Sequence, residues 1–356
     1  MPNSPRWNEG IYFRFNPQSV SREYKIPLEE LVDFQVFLVT RDQVEVASKE
    51  WTVGNNRIYP LMYRDVNEII KKQKYPLKEN FWRTTPSLRI RGNSTSIEFP
   101  TVIAILNMTP DSFYPGSRVR DEDLEKRLNE IRKSDGEIVD IGGQSTRPGS
   151  VQVSSEEEMK RISRAVEISL NKNFTVSVDS YRPEIIKECL EMGVHLINDV
   201  SGMENSQIGY LAKRYDVPLV VMHKQGDFKT MQLGPHYDNT VNEIIDYFME
   251  KISEARKIGI EDNLILDPGI GFGKRVGDNL SIINNLRDFK LGHPLLIGLS
   301  RKNFIGEIMK ETVEERAISS LIFNAIALMN GADIIRVHDT EENLKLIKIM
   351  KKMREY

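Results

Sequence analysis

The chain has 356 residues, of which 40% are hydrophobic and 28% are charged, and its formal net charge is -3. This composition excludes a wholly disordered chain, a fibrous repeat and a polytopic membrane protein. The small net charge gives no reason to expect nucleic acid or an anionic membrane as a partner. The single cysteine, Cys189, excludes an internal disulfide and a cysteine-built zinc site. Since no signal core is visible and no apolar run approaches ~18 residues, we expect a cytoplasmic protein.

Residues 1–98 show no regular alternation of strands and helices, and we predict that they form a small α+β extension or domain of unknown function. Within them, the run Asp33–Thr40 predicts a strand and Leu61–Lys72 predicts a helix. The basic segment Lys71–Arg91 contains two prolines and predicts a linker or an exposed loop. Residues 99–356 then form the second domain.

From residue 99 onward, short apolar runs alternate with amphipathic stretches. The runs predict eight strands, at Thr101–Leu106, Glu137–Ile141, Thr175–Val178, His195–Asn198, Pro218–Met222, Leu264–Leu266, Pro294–Gly298 and Asp333–Val337. The stretches predict helices at Asp121–Lys133, Ser155–Leu170, Pro183–Met192, Asn205–Arg214, Asn239–Ile258, Asp278–Asp288, Glu314–Met329 and Glu341–Met353. Apolar strands that alternate with helices imply a parallel sheet. Eight such units in about 250 residues favour a (β/α)₈ barrel over a doubly wound sheet.

Polar or charged side chains lie at or just beyond the end of every predicted strand, where a (β/α)₈ barrel carries its site. Two carboxylates, an amide and an ammonium could hydrogen-bond the edge of a flat nitrogen heterocycle: Asp179, Asn198, Asp267 and Lys302. A second set suits a phosphorylated anion and offers one possible metal ligand: Asn107, Thr146, Arg147, Arg336 and His338. A strand-end Asp or Asn alone could equally cap the next helix or close a turn. Their convergence on one face of the barrel favours a site.

These strand ends resemble the motifs of dihydropteroate synthase, in the pterin-binding barrel family. The matching segments, in order, are Asn107–Phe113, Asp140–Gly149, Asp179, Asn198–Gly202, Asp267–Lys274, Gly298–Lys302 and Arg336–Asp339. The resemblance covers residues 100 to about 354 and does not extend to residues 1–98. It is specific because it rests on the whole series of motifs rather than on any one of them.

The resemblance implies a reaction of folate or pterin biosynthesis. In this family, 6-hydroxymethyl-7,8-dihydropterin diphosphate loses pyrophosphate, and the amine of 4-aminobenzoate attacks the exocyclic methylene of the resulting pterin cation. The electron-rich ring stabilises that cation, and an aromatic amine is already neutral at pH 7. The protein is then expected to act mainly by stabilising the leaving group, positioning the substrates and excluding water.

The resemblance also implies roles for single residues. The residues expected to hold the pterin are Asp179, Asn198, Asp267 and Lys302, with Met222 packed on its ring and Asp140 as a further substrate-binding candidate. Asn107 is expected to ligate a Mg²⁺ ion bound to the pyrophosphate. The residues expected at the diphosphate are Thr146, Arg147, Arg336 and His338. The residues expected to border the aminobenzoate are Phe272, Ser300 and Pro148. Asn107, Arg147, Lys302, Arg336 and His338 form the predicted catalytic set, and we expect a homodimer.

Several positions depart from the usual pattern of the family. Pro115 and Gln144 stand where the family commonly has acidic residues, and Asn303, Lys224 and Phe228 also differ. We hypothesise that the amine substrate is a modified aminobenzoate, for example one that bears a ribosyl phosphate. Two alternative functions remain open at this point, a pterin-dependent corrinoid methyltransferase and an inactive pterin-binding paralogue.

Overall fold

A computed structural model describes residues 11–41, 44, 49–73, 88–95, 97–109, 121–144 and 152–353. These residues form a four-stranded sheet, an eight-stranded sheet and a two-stranded hairpin. None of the helices in these ranges is long and apolar enough to cross a membrane.

The amino-terminal part of the chain forms the four-stranded sheet. Its elements are β1 (Ile11–Arg14), α1 (Pro17–Tyr24), β2 (Val36–Thr40), β3 (Trp51–Val53), β4 (Asn56–Leu61) and α2 (Tyr63–Gln73). The strands pair antiparallel in the order β1-β2-β4-β3. Every residue of β2 is buried because both faces of the sheet are covered. Phe37 and Val39 pack with α1, whereas Val36 and Leu38 pack with α2.

The structure corrects several boundaries predicted for this region. The predicted strand begins only at Val36, and the predicted helix begins at Tyr63 because Leu61 pairs with Val36 as the last residue of β4. The predicted linker contains regular structure at both of its ends, since its first residues end α2 and its last residues form β5 (Leu88–Ile90). Strand β5 pairs with β6 (Asn93–Thr95), while residues 74–87 lie outside the described ranges.

The eight-stranded sheet is the predicted barrel. Its strands are β7 (Thr101–Asn107), β8 (Ile138–Gly142), β9 (Thr175–Asp179), β10 (Leu196–Asp199), β11 (Leu219–Met222), β12 (Leu264–Asp267), β13 (Leu296–Ile297) and β14 (Ile334–Val337). They pair in parallel in the order β12-β11-β10-β9-β8-β7-β14-β13. A parallel bridge between Leu266 and Leu295 joins the two ends. The predicted (β/α)₈ fold is therefore confirmed.

Helices surround this sheet. They are α3 (Asp121–Lys133), α4 (Ser155–Asn171), α5 (Pro183–Met192), α6 (Ser206–Tyr215), α7 (Thr240–Ile258), α8 (Val276–Asn284), α9 (Asn303–Met309), α10 (Arg316–Met329) and α11 (Thr340–Met353). The predicted helix Asp278–Asp288 divides into α8 and a 3₁₀ turn, Leu286–Phe289. The short α9 was not predicted; it precedes α10 in the seventh unit.

The two-stranded hairpin lies at the amino-terminal end of the barrel strands. Leu88 of β5 is fully buried in a small apolar cluster with Ile103, Ile138 and five other inward-facing residues from β10 to β14. The hairpin therefore closes one end of the barrel interior and leaves the opposite end for polar groups. The domain division at residue 98 stays a prediction.

Candidate active site

The inward face of the barrel changes from apolar to polar along each strand. Since side chains alternate with a period of two, a residue two positions after an inward apolar residue also points inward. The pairs are Ile138 and Asp140, Leu196 and Asn198, Val220 and Met222, Ile265 and Asp267, and Ile334 and Arg336. The first member of each pair lies in the closed apolar end. The second members are thus brought together at the carboxyl ends of the strands, as the sequence predicted.

Arg336 lies at the centre of this polar end. Its Nε donates to Asp140 Oδ2 and its Nη2 donates to Asp179 Oδ2, each at 2.6 Å. Asn198 Nδ2 donates to the same Asp140 oxygen at 2.8 Å. The other oxygen of Asp140, Oδ1, is buried and has no hydrogen-bond partner among the described residues. The cluster therefore joins strands β8, β9, β10 and β14. Asp140 Oδ1 can accept a hydrogen bond from a bound ligand.

The charges of this cluster perturb one another. Burial raises the pKa of Asp179 to about 7, with repulsion from Asp140 acting in the same direction and attraction to Arg336 opposing it. Burial alone would lower the pKa of Arg336, but attraction to Asp140 and Asp179 outweighs it and raises that pKa. A carboxyl whose pKa lies near neutrality changes charge in the physiological range, which is common in binding and catalytic sites.

A glycine-rich turn follows β12 and forms one wall of the polar end. Asp267 Oδ1 accepts a hydrogen bond from the Gly269 amide at 2.7 Å, and burial raises the pKa of the Asp267 carboxyl. Gly269 has a φ of 65°, and a Cβ atom there would lie 1.9 Å from the carbonyl oxygen of His223. Only glycine allows this turn to approach the neighbouring loop so closely.

Lys302 and Phe272 lie together beside this turn. Lys302 is the N-cap of α9, and its Nζ lies 4.3 Å from the centre of the Phe272 ring. Ser300 Oγ lies 3.1 Å from His338 Nδ1 and accepts a hydrogen bond from the His338 backbone amide at 3.2 Å. The loops after β13 and β14 are therefore joined at the same end of the barrel.

A buried lysine that the sequence analysis gave no role lies under the glycine turn. Lys274 Nζ lies 2.9 Å from His223 Nδ1 and donates to the Phe272 carbonyl at 3.1 Å. Burial lowers the pKa of Lys274 to about 7, with repulsion from Lys302 in the same direction. Burial also lowers the pKa of His223. Lys274 was visible as the last residue of the glycine motif, but its burial depends on tertiary packing.

Three departures from the family pattern meet beside the site. Gln144 Nε2 donates to Tyr181 Oη at 2.8 Å, and the Tyr181 ring stacks on Phe228 with centroids 5.3 Å apart. Lys224 Nζ lies 5.0 Å from the centre of the Phe228 ring and pairs with Glu204 at 2.5 Å. The Oε1 atom of Gln144 is buried and has no hydrogen-bond partner within the described ranges. Departures that are far apart in sequence thus form one contiguous patch.

The remaining predicted residues divide into two groups. Asn107 ends β7 beside Gly142, and Met222 is buried at the end of β11. Thr146, Arg147, Pro148 and Pro115 lie outside the described residues, so their predicted roles stay predictions. Among the described residues, no group of three or more His, Cys, Asp or Glu side chains could hold a metal ion.

Comparison with known proteins agrees with this geometry. The family model for pterin binding enzymes matches residues 103–338. The dihydropteroate synthase of Escherichia coli is 39% identical over 264 residues, which are 73% of this chain and 94% of that protein. A Yersinia pestis dihydropteroate synthase with a sulfonamide drug complex has a TM-score of 0.71 at 34% identity, over 76% of this chain and 99% of that one.

A second solved structure, the Xanthomonas albilineans dihydropteroate synthase with 4-aminobenzoic acid, has a TM-score of 0.71 at 33% identity. It covers 77% of this chain and 100% of its own. The family match spans the strand ends on which the motifs were recognised and leaves the four-stranded sheet outside. The chain therefore belongs to the pterin binding enzymes and, within them, to the dihydropteroate synthases.

Proposed function

We propose that the chain condenses 6-hydroxymethyl-7,8-dihydropterin diphosphate with 4-aminobenzoate or a modified aminobenzoate, with release of pyrophosphate. The observation that carries this proposal is the convergence of Asp179, Asn198, Asp267 and Lys302 at one end of a barrel of this family. Carboxylate and amide oxygens accept hydrogen bonds from the amino and ring N–H groups of a pterin edge. Lys302 donates to acceptors on the same ring.

The reaction needs little covalent help from the protein. The bond between the exocyclic carbon and the diphosphate oxygen breaks, and pyrophosphate leaves with the electron pair. The amine nitrogen then bonds to that carbon and loses a proton. The chain's own residues hold the pterin edge, Asp140 and Asp179 hold the cationic Arg336 in place, and Ser300 holds His338. Their contribution is orientation and stabilisation of charge in a site from which water is excluded.

We propose that Mg²⁺ accompanies the diphosphate at Asn107. The donor set fits, because Mg²⁺ prefers oxygen ligands, keeps several waters and takes few protein groups when it binds phosphates. Asn107 offers one amide oxygen at the end of β7. When bound, the ion neutralises charge on the leaving group. Asn107 would then fix the position of that ion relative to the pterin-binding carboxylates.

We propose that the amine substrate lies against Phe272 and Ser300. Phe272 offers an apolar ring face, and Lys302 beside it suits a carboxylate-bearing aromatic ring. The structure of the Xanthomonas relative holds 4-aminobenzoic acid. For a phosphorylated amine, the nearby Lys224 would have to exchange its pairing with Glu204 for the phosphate. Free 4-aminobenzoate therefore requires no rearrangement of Lys224 and is the substrate that we propose. The experiment below compares it with the modified aminobenzoate.

We propose a homodimer that forms through α10. This helix exposes an apolar stripe at Ile318, Ile322, Ile326 and Met329, and the exposed fractions of Ile318 and Met329 are 72% and 66%. The spacing puts these side chains on one helical face, and contiguous apolar patches of this kind mark interfaces. A cytoplasmic location is also proposed, because the single buried thiol of Cys189 is compatible with a reducing compartment.

Release of pyrophosphate from the dihydropterin diphosphate tests this function. Purified protein is assayed with and without Mg²⁺, 4-aminobenzoate or its ribosyl phosphate derivative. Release that requires both an amine and Mg²⁺ supports the synthase, and the preferred amine identifies the acceptor. Tight pterin binding without release under any of these conditions would instead support an inactive paralogue. Methyl transfer from a tetrahydropterin to a corrinoid would support the methyltransferase.

A further inference from the structure

The four-stranded sheet at the front of the chain packs on the outside of the barrel through a buried polar cluster. The Arg14 side chain is fully buried, and its Nε donates to Asp288 Oδ2 at 2.7 Å. Its Nη1 donates to Glu23 Oε2 at 2.8 Å and to Asn242 Oδ1 at 3.2 Å. The Phe15 amide donates to the second oxygen of Asp288 at 2.8 Å. Because a buried ion pair needs its partners in place, this cluster fixes the sheet against α7 and the turn after α8.

Glu23 connects this cluster to the beginning of α7. One of its carboxylate oxygens pairs with Arg14, and the other accepts a hydrogen bond from Asn239 Nδ2. Asn239 is the N-cap of α7, since its Oδ1 accepts from the Asn242 amide at 3.0 Å. Its own backbone amide donates to Glu243 Oε1 at 2.9 Å. The four-stranded sheet with its helices α1 and α2, here called the front sheet, therefore binds Asn239 through Glu23 of α1. Asn239 is the residue at which the loop after β11 ends and α7 begins.

The loop after β11 in turn shapes the glycine turn that carries Phe272. Gln232 Nε2 donates to the carbonyl of Gly271, and Tyr237 Oη donates to the carbonyl of Gly273 at 2.9 Å. Lys274 donates to the intervening Phe272 carbonyl at 3.1 Å. Side chains thus bind three consecutive carbonyls of the turn, and two of these side chains come from the loop that ends at Asn239.

We propose that the front sheet acts through Glu23 and Asn239 to position Phe272, and that it thereby sets the affinity of the enzyme for its amine substrate. Glu23 and Asn239 are positioning residues, since neither reaches the site. The proposal rests on the proposed function, because it takes Phe272 as a wall of the amine pocket. It goes beyond the family match, which begins at residue 103 and does not include the sheet.

The geometry makes the effect selective for one substrate. The pterin is held by Asp179, Asn198 and Asp267, which project from strands within the barrel, and by Lys302, whose backbone is fixed at the N-cap of α9 rather than by the glycine turn. The amine instead lies against Phe272, whose position depends on a turn held by the loop before α7. A displacement of Asn239 therefore reaches the amine pocket through two hydrogen bonds but leaves the pterin-binding strands in place. A general loosening of the protein would impair both substrates.

The test uses the full-length enzyme and a pair of reciprocal substitutions. Glu23→Gln keeps an oxygen for Arg14 but turns an amide donor towards the Asn239 amide, so the hydrogen bond between Glu23 and Asn239 is lost. Asn239→Asp keeps the helix cap, because Asp and Asn cap equally well, but it turns an acceptor towards the Glu23 carboxylate. The double variant restores one donor and one acceptor across the interface. Glu30→Gln is the control, since Glu30 binds only Lys49 and Trp51 among its described partners, and both of these residues lie in the same amino-terminal region.

Each single variant is expected to raise the KM for the amine about 5-fold or more, the lower end of ordinary coupling between sites. The KM for the dihydropterin diphosphate should change less than about twofold, and the double variant should recover the wild-type KM for the amine. Glu30→Gln should behave as wild type. An unchanged KM for the amine, an equal rise in both KM values, or no recovery in the double variant would overturn the proposal.

A second measurement does not require turnover. Hydrogen–deuterium exchange should become faster in residues 225–238 and 269–273 of Glu23→Gln, and the double variant should restore the protection. Unchanged exchange in both segments would overturn the positioning role even if the protein proved inactive. Failure of wild-type enzyme to release pyrophosphate would instead contradict the proposed function. The two failures are therefore distinguishable.

Discussion

Ionisation of Asp179 should control the pH dependence of pterin binding. Burial, aided by Asp140, raises the pKa of this carboxyl to about 7, while Arg336 at 2.6 Å limits the rise. The amino and N–H groups of a pterin edge donate hydrogen bonds, so they bind the ionised carboxylate. Two perturbations test this dependence: a change of pH between 6 and 8, and the substitution Asp179→Asn.

The expected magnitudes follow from this pKa. With a pKa near 7, the ionised fraction rises from about one tenth at pH 6 to about nine tenths at pH 8, so pterin affinity should rise about tenfold. Asp179→Asn removes a charge-assisted hydrogen bond and turns a donor towards a donor, at a combined cost of about 3 kcal/mol or more. That cost corresponds to a loss of affinity of about 100-fold. The raised pKa also affects the stability of the folded protein. Protonated Asp179 contributes its full stability below about pH 4, and this contribution is lost as the pH rises through 7.

Isothermal titration calorimetry with 6-hydroxymethylpterin at pH 6, 7 and 8 measures both effects. Buffers with different ionisation enthalpies report the protons that Asp179 releases when the ligand binds. Asp135→Asn is a matched control, because Asp135 is exposed and pairs only with Lys348 among the described residues. An affinity that does not change with pH, or an Asp179→Asn variant that keeps the wild-type pH dependence, would show that Asp179 does not control pterin binding.

Three further predictions concern the rest of the structure. Asp288→Asn should lower the free energy of unfolding of the front sheet by about 3 kcal/mol, because it leaves buried Arg14 without its closest anion. Tryptophan fluorescence during unfolding in urea measures this change, since all three tryptophans lie within residues 1–98. An unchanged urea midpoint would contradict the prediction. Ile322→Glu should convert a dimer into a monomer in sedimentation velocity, whereas a wild-type monomer would remove the basis for the proposed interface. Arg336→Ala should weaken binding of both the pterin alcohol and its diphosphate, because Asp179 loses the cation that pairs with it. The loss should be larger for the diphosphate. A loss confined to the diphosphate would show that Arg336 does not support Asp179.

The sequence was sufficient to predict the barrel and to predict that polar side chains lie at the carboxyl ends of its strands. The period of two places Asp140 and Arg336 on the same inward face as the apolar residues that precede them, and parallel strands bring their ends together. What the sequence could not predict is how these groups pair. Arg336 was predicted to contact the diphosphate, and that role stays a prediction; the structure shows it bridging Asp140 and Asp179. Its choice of partners depends on distances across the barrel that no local pattern encodes.

The front sheet illustrates the same limit. The strand in Asp33–Thr40 was predicted from its β-branched and aromatic residues, and it forms β2. Arg14 gave no such signal, because an arginine in a short strand is ordinarily exposed. Its burial depends on Asp288 and Asn242, which are more than 200 positions away along the chain. Long-range polar contacts of this kind became visible only when the sheet and barrel were seen together.

If this chain is a dihydropteroate synthase, the purified protein must form dihydropteroate, and analysis of the reaction product measures this. Purified protein is incubated with 6-hydroxymethyl-7,8-dihydropterin diphosphate, 4-aminobenzoate and Mg²⁺, and the mixture is analysed by mass spectrometry. We expect 7,8-dihydropteroate in an amount equal to the pyrophosphate released, and about 100-fold less of this product from Asp179→Asn when the pterin substrate is far from saturating. Absence of any condensation product with 4-aminobenzoate and with its ribosyl phosphate derivative, from protein that binds the pterin, would contradict it.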